Sequence, residues 1–277
     1  MLTRSISPFH RRSPDHALDY FFRAGITYSR RSQIGFSARV LPEGCIFHDK
    51  GPGIFCNYDN LPIVLALVNS KVFRVLLQLQ MAFGSYEIGV IQRTPVPNAL
   101  ETRAEVLGNL ALRCVDVKRG FDTVNEVSRV FCLPALLQTN EETLGERLAL
   151  RWDRISSSER QLADYQRKID DVAFRLYGIE GADRHTIEAS LSSKDGATGS
   201  GEDDGAPESE DAKEATAVLD GGTLVADLLS YAVGCVFGRW DARIALAPSL
   251  APEARRSVRA AADLLAGDAC RAGWATC

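Results

Sequence analysis

The pattern of hydrophobic and polar positions first predicts short strands. Strand-forming residues occupy Ile26–Ser29, every second position from Ile34 to Val40, Cys45–Phe47 and Ile54–Cys56. Alternation with a period of two is typical of a strand that buries one face. Glycine and proline between these segments supply turns, because proline fixes φ and glycine permits positive φ.

A helical period follows the strands. Asp59 or Asn60 can cap a helix on which apolar residues recur at intervals of three and four. These residues predict one long helix: Val64, Leu67, Val68, Val72, Val75, Leu76 and Leu79. Tyr86–Ile91 then predicts a returning strand, which Pro95 and Pro97 end because neither residue can donate a ladder hydrogen bond.

The chain beyond residue 98 is predicted to be helical. We expect helices at 100–118, around 127–137, at 141–177 and at 224–237, and an Ala/Arg-rich helix to about Ala266. The long third helix carries apolar residues at alternating spacings of three and four, which describe a coiled-coil-like seam. The seam needs a partner helix, either in this chain or in another, and its residues are Ile155, Leu162, Tyr165, Ile169, Val172 and Leu176.

These patterns predict a mixed α/β fold with a small β-rich domain followed by helices. We expect a loop or frayed start at 1–17, a recognition-like domain at 18–98 and a helical spacer at 99–191. Residues 192–215 are rich in Gly, Ser, Asp and Glu and predict a disordered acidic linker. A small helical tail is expected at 216–277.

The net charge of −4 conceals a division of charge along the chain. The first 40 residues carry seven arginines and two aspartates, a charge of +5. Residues 194–214 carry eight acidic residues and two lysines, a charge of −6. The whole-chain charge therefore does not exclude a nucleic-acid partner.

Cysteine usage and hydropathy indicate a reduced cytoplasmic location. The seven cysteines are odd in number and never spaced as C-x-x-C, so neither a disulfide framework nor a zinc site is expected. The most apolar window, residues 61–81, contains Asn69, Lys71 and Arg74, and we expect a buried helix there and no membrane association.

The residues for a methyl-transfer or metal-dependent reaction are not recognisable. The chain contains no Pro-Pro pair and no G-x-G-x-x-G loop, so we expect no catalytic residues and no bound cofactor. Asp170 and Asp171 lie near Lys168 in the seam helix, where a solvated helix face is the expected explanation. The histidines have no partner at ligand spacing, and no metal site is expected.

Basic and amide side chains near the strands are candidates for DNA contact. Arginine can pair bidentately with guanine, glutamine can pair with adenine, and Lys or further Arg can neutralise phosphates. Grouped on one compact β-rich domain, these residues predict binding of double-stranded DNA. The candidates are Arg30, Arg31, Gln33, Arg39, Lys50, Gln92 and Arg93.

Five motifs resemble part of a known enzyme family: G-I-T-Y-S-R-R at 25–31, R-V-L-P-E-G-C-I-F at 39–47, L-V-N-S at 67–70, S-Y-E-I-G-V-I-Q-R-T-P-V-P at 85–97 and S-Y-A-V-G-C-V-F-G-R-W-D at 230–241. They resemble the C-terminal half, with its target-recognition and helical spacer parts, of BREX-type and restriction-modification adenine-specific DNA methyltransferases. These enzymes methylate adenine N6 in phage-defence systems.

The resemblance implies a DNA-recognition part without its own methyl-transfer domain, as in a truncated or split gene product. S-adenosylmethionine is the cofactor of the full-length family enzyme, and another chain would supply the methyl-transfer domain. An assembly module that binds no DNA and uses Leu162, Ile169 and Leu176 is an alternative. A stand-alone enzyme that binds S-adenosylmethionine itself is a third possibility.

Overall fold

The fold was analysed in a computed structural model, which describes residues 18–32, 35–81, 85–97, 100–195 and 221–246. Apart from those gaps, residues 18–113 and 165–195 form a first compact unit, and 114–164 and 221–246 form a second. The predicted mixed architecture, a small sheet followed by helices, is confirmed. The domain boundaries predicted from the sequence stay predictions.

A three-stranded antiparallel sheet opens the first unit. It consists of β1 (Gly25–Tyr28), β2 (Ala38–Leu41) and β3 (Gly53–Ile54), in the order β2-β1-β3. Thr27 lies opposite Arg39, and Ile26 lies between Val40 and Ile54. Three of the predicted strand segments therefore contribute to the sheet, although Ile34 lies outside the described residues.

The strand predicted at Cys45–Phe47 is wrong. Its backbone instead closes a turn against Phe22, which donates its N–H to the Cys45 carbonyl and accepts from the Gly44 N–H, both at 2.9 Å. Phe22 and Gly44 both have positive φ, 65° and 80°. This turn removes the segment from the ladder.

The inner face of the sheet is the core of the first unit. Ile26 and Tyr28 are buried, and the Phe36 ring lies 5.3 Å from Tyr28, 6.2 Å from Phe73 and 5.0 Å from Tyr86. Helix α1 (Leu61–Val68) packs against β1 and β2. Aromatic pairs at these separations add stability beyond their buried area.

The outer face is covered at one end by the Phe55 ring. A Cβ placed on Gly25 would lie 2.8 Å from this ring, and a Cβ on Gly53 would lie 2.5 Å from it, so only glycine fits at either strand position. The Tyr20 and Phe47 rings pack beside Phe55 in tilted arrangements, with centroid separations of 5.1 and 5.2 Å. Arg39 lies on the same face, on β2, and is exposed.

The single long helix predicted from the apolar period is two helices, α1 and α2 (Lys71–Gln80), bent by 73°. Ser70 makes the break: its hydroxyl accepts from the Phe73 N–H at 3.3 Å and donates to the Leu67 carbonyl at 2.7 Å. A serine cap competes with continued helical bonding. Leu79, predicted to be in the core, is 78% exposed.

The strand predicted at Tyr86–Ile91 is helix α3 (Ile88–Arg93). The Glu87 carbonyl accepts from the N–H groups of Val90 and Ile91, at 2.9 and 3.2 Å. Val90 and Ile91 are buried as neighbours, whereas Ile88 is 42% exposed. Tertiary packing, which the apolar pattern does not contain, therefore decided the structure of this segment.

Two long helices confirm the predictions beyond residue 98: α4 (Leu100–Asp122) and α5 (Leu144–Tyr177). Thr143 and Glu146 form a capping box at the start of α5, with each side chain accepting from the backbone N–H of the other. The helix predicted around 127–137 is wrong, since that segment forms turns and a 3₁₀ helix at Ala135–Leu137.

The C-terminal half of the predicted seam packs inside the first unit. Ala173 and Phe174 on α5 form a buried cluster with Val72 on α2, and Ile187 on α6 (Gly181–Asp195) packs against it. Ile169 is 2% exposed. Helix α6 includes residues 192–195, which were assigned to the linker, whereas residues 196–215 lie outside the described residues.

The solvated helix face expected at Asp170 and Asp171 is wrong for Asp170, which is buried. Its side chain is 2% exposed, and Oδ1 accepts from the Lys71 backbone N–H at 2.9 Å and from Gln166 Nε2 at 3.1 Å. The Lys71 ammonium lies 3.9 Å from Oδ2. Asp171 is half-exposed and pairs with Arg184 at 2.6 Å. Asp170 is therefore a buried acceptor for the first residue of α2.

The second unit has its own core around helix α7 (Gly221–Val236), which confirms the helix predicted at 224–237. Phe131, Leu133, Tyr231 and Ile244 form this core, and Ile244 lies on the short helix α8 (Arg243–Leu246). The helix predicted to reach Ala266 lies outside the described residues.

No single helix within the described ranges is both long enough and apolar enough to cross a membrane. Helices α1 and α2 meet that test only as a pair, with their bend of 73°.

Candidate nucleic-acid interface

Arg39 lies on the outer face of the sheet. It is the cross-strand partner of Thr27, and directly opposed residues of an antiparallel pair point to the same face. Ser29 follows Thr27 by two positions, and its hydroxyl accepts from Arg39 Nη2 at 2.7 Å. Because Ile26 and Tyr28 point to the core, this arrangement presents a guanidinium and two hydroxyls on the opposite side.

Arg30 is tied to the segment that precedes α3. Its Nη2 lies 2.7 and 2.9 Å from the two carboxylate oxygens of Glu87, and its Nε lies 3.1 Å from Oε1. Asp49 lies 3.8 Å from Nη1. The hydrogen bond to Glu87, together with that carboxylate's charge, raises the pKa of Arg30. Its positive charge is therefore matched within the protein, and the pair positions the start of α3.

Arg31 and Lys50 lie on segments that adjoin the end of β1. Arg31 is exposed, pairs with Ser85 through an isolated antiparallel bridge, and donates from Nε to the Ser85 hydroxyl at 3.1 Å. The Lys50 carbonyl accepts from the Arg30 N–H at 2.9 Å, and the Lys50 side chain is on an exposed turn. The fold thus brings Arg30, Arg31 and Lys50 together.

Gln92 and Arg93 occupy the last turn of α3. Arg93 is exposed, and a cation there complements the negative end of the helix dipole. Gln92 is half-buried, and its Nε2 is a buried donor without a hydrogen-bond acceptor. Gln33, the remaining candidate, lies outside the described residues.

Sequence reasoning missed the acidic and hydroxyl partners of the arginines. Glu87 is 57 residues from Arg30, and Ser85 is 54 residues from Arg31, so no local spacing reveals either pair. The proximity of His48 Nδ1 to Asp49 was also missed. In the sequence, only the separation of Ser85 and Glu87 by one residue, in the motif S-Y-E, could have suggested that the two side chains contact the same segment.

Metal binding and thiol catalysis are two further kinds of chemistry that such a domain could carry. Among the residues that the structure describes, no three or more His, Cys, Asp or Glu side chains are grouped so that they could hold a metal ion. Burial raises the pKa of the Cys56 thiol to about 11, which keeps it protonated at neutral pH. A thiol in that state is a poor nucleophile.

Comparison with known proteins identifies relatives among adenine-specific methyltransferases. The chain is 24% identical over 228 residues, 80% of its length, to "Adenine-specific methyltransferase BrxX" of Escherichia coli O9:H4 (strain HS). It is 23% identical over 233 residues, 83% of its length, to "Adenine-specific methyltransferase PglX" of Lacticaseibacillus casei (strain Zhang). No family model matches the chain.

These matches cover 18% of each relative's length. They confirm the expected relation to adenine-specific methyltransferases. Assignment to the C-terminal half of such an enzyme stays a prediction.

Proposed function

We propose that this chain is the DNA-recognition part of an N6-adenine-specific DNA methyltransferase in a phage-defence or restriction-modification system. In this proposal it binds duplex DNA, and a methyl-transfer domain on another chain binds S-adenosylmethionine and supplies the reaction. The similarity to BrxX and PglX supports the kind of enzyme.

The observation that carries the proposal is the exposed position of Arg39 on the outer face of the sheet. Arg31 and Lys50, both exposed, lie on segments that adjoin the same end of β1. Cations carried by a rigid sheet can follow a phosphate backbone, because their spacing is fixed by strand pairing. Arg93 extends the set from the last turn of α3.

Arg30 has a different role in this proposal. Its guanidinium is held by both oxygens of Glu87, so it fixes α3 relative to β1. Gln33 and Gln92 are the amides proposed to approach base edges. Gln92 must turn its buried Nε2 outward to do so. Positioning by arginine pairs and reading by amides are separable experimentally.

Fluorescence anisotropy of labelled duplex DNA, measured across salt concentrations, tests the proposal. Each of Arg31→Ala, Arg39→Ala and Lys50→Ala should weaken binding and reduce the salt slope by about 0.9, the value for one phosphate contact. Arg175→Ala is the matched control, because it removes an exposed arginine of the same unit from α5. Affinity that does not change with salt contradicts the proposal.

Glu87→Gln distinguishes the role of Arg30 from that of its neighbours. The substitution removes a carboxylate that holds Arg30, so it should strengthen DNA binding while lowering thermal stability. A variant that binds DNA less well and is equally stable would place Glu87 itself at the DNA.

The two alternatives make different predictions. A stand-alone enzyme requires that this chain binds S-adenosylmethionine, which isothermal calorimetry measures directly. An assembly module without DNA binding requires accessible seam residues, whereas Ile169 is 2% exposed within its own unit. Leu162 is half-buried, so Leu162→Asp is the cleaner test of association through the seam.

A further inference from the structure

Helix α7 is apolar on every side, but only one side is covered by the described residues of its unit. Its 16 residues include a single charged side chain, Asp227. Leu224, Tyr231 and Gly234 are buried, and Trp240 packs directly on Gly234. A helix that is hydrophobic all round is normally buried all round.

The uncovered side carries four large apolar residues. Leu229 is 62% exposed, Val233 55%, Val236 83% and Phe237 84%. The Phe237 N–H donates to the Val233 carbonyl at 3.1 Å, so the helical path continues to this residue. Spacings of four and three along a helix align side chains on one face. We call these four residues the α7 stripe.

The size of the α7 stripe fits a protein interface. Burying a Val, Leu or Phe side chain removes on the order of 100 Å² of apolar surface from water, so the stripe offers roughly 400 Å². A standard interface buries about 800 Å² per partner, and about 57% of that area is apolar. The stripe therefore accounts for nearly the whole apolar share of one such interface.

Charged groups beside α7 have partners within the second unit, including Arg239, which lies 3.3 Å from Glu126. Glu126 accepts from the Ser230 hydroxyl at 2.7 Å and from Trp240 Nε1 at 2.8 Å, and Arg243 pairs with Asp241 at 2.7 Å. An uncharged face meets a copy of itself without like-charge repulsion. In a twofold dimer the same surface serves both subunits, which an uncharged apolar stripe satisfies.

Small residues beside the stripe permit a close approach. Ala226 and Ala232 lie on the exposed side of α7. Packed helices have axes about 8–10 Å apart, and small side chains favour the short end of that range. We propose that the chain forms a homodimer in which the α7 stripe of one copy packs on the α7 stripe of a second copy. This proposal does not depend on DNA binding.

Sedimentation velocity of the full chain over a wide range of protein concentration tests the dimer. Leu229→Lys and Val233→Lys should each raise the dimer Kd by roughly 30-fold or more, as for a central interface residue. Val236→Lys should do the same with little cost to folding, because a cation is favourable near a helix C-terminus. Circular dichroism checks that each variant is folded.

Leu79→Lys is the matched control, because Leu79 is 78% exposed on α2 in the first unit. It should leave the dimer Kd unchanged. A wild-type chain that remains monomeric at its highest soluble concentration overturns the proposal. A dimer that folded Leu229→Lys, Val233→Lys and Val236→Lys all leave intact also overturns it. Flotation of a monomeric wild-type chain with neutral lipid vesicles would assign the stripe to a membrane surface instead.

Discussion

The two compact units each bury an ionisable side chain of α5, but the two side chains differ in their hydrogen-bond partners. In the first unit, Asp170 accepts two hydrogen bonds and faces the Lys71 ammonium. In the second unit, Arg151 is 8% exposed, and its Nε and Nη2 are buried without a hydrogen-bond acceptor. The Arg151 guanidinium lies 6.0 Å from the Phe121 ring centroid.

This difference shows why burial of a charge does not by itself indicate stabilisation. A buried charge contributes when it satisfies a group that would otherwise be unpaired, as Asp170 does for the Lys71 N–H at the start of α2. A buried guanidinium without an acceptor loses its hydration and recovers little, and a ring 6.0 Å away is at the limit of a cation–π contact. The same helix therefore contains one buried ionisable side chain that supports the fold as a hydrogen-bond acceptor and one whose buried charge opposes folding.

The largest effect is expected at Asp170. Asp170→Ala should lower the free energy of unfolding by about 2–3 kcal/mol, because it leaves the Lys71 N–H at the start of α2 without its acceptor. It also removes one of the two hydrogen bonds that Gln166 Nε2 donates, the other being to the Asn69 carbonyl. Asp170→Asn keeps one oxygen acceptor and should cost less than about 1 kcal/mol. Urea unfolding of the three proteins measures both changes. Equal losses in the two variants would show that the charge of Asp170, rather than its acceptor, supports the fold.

Ser70→Ala should have the next largest effect. The hydroxyl caps α2 from a position that is 0% exposed, and loss of a serine cap costs about 1 kcal/mol. Thr186→Ala is the control, since its exposed hydroxyl bonds the Ala182 carbonyl within α6. Thermal unfolding monitored by circular dichroism gives both values. A control as destabilised as Ser70→Ala would argue against a specific capping role.

Arg151→Met should act in the opposite direction. Methionine has a similar length and needs no acceptor, so the substitution should be neutral or should raise stability by up to about 1 kcal/mol. Burial, followed by the charge of Arg154, lowers the pKa of Arg151, which agrees with an unfavourable site for a cation. Arg154→Met, at an exposed position, should change urea stability little. A clear loss of stability in Arg151→Met would show that its charge is used.

The smallest expected effect is a change with pH in the contribution of Asp170 to the free energy of unfolding. Burial raises the pKa of Asp170 above its usual 3.8, so the folded protein keeps this proton to higher pH than the unfolded chain does. The Asp170 contribution to stability should therefore fall as pH rises from about 3.8 through the raised pKa.

Comparison of wild type with Asp170→Asn at each pH isolates this contribution. The comparison is needed because the hydrogen bond from Ser230 lowers the pKa of Glu126, which has the opposite dependence. If the free energy of unfolding of wild type increased relative to that of Asp170→Asn as pH rises, a raised pKa of Asp170 would be contradicted.

The sequence predicted elements whose stability is local and missed those decided by distant partners. The β1–β2 pairing and α5 follow from alternation and from a long helical period. The break at Ser70 and the helical form of 88–93 depend on side chains and packing that the apolar pattern does not contain. Among the candidate contacts, the grouping of Arg30 and Lys50 on one β-rich domain was expected from the sequence, whereas the Arg30–Glu87 pair requires the tertiary fold.

The break between α1 and α2 also protects an edge of the sheet. Strand β2 is at an edge, where unpaired backbone groups can recruit another chain and start aggregation. Asn69 accepts from the Ala38 N–H at 2.9 Å and donates to the Ala38 carbonyl at 3.0 Å, as a neighbouring strand would. The residue that ends α1 therefore also occupies the backbone groups of Ala38, at which β2 could otherwise pair with a strand of another chain.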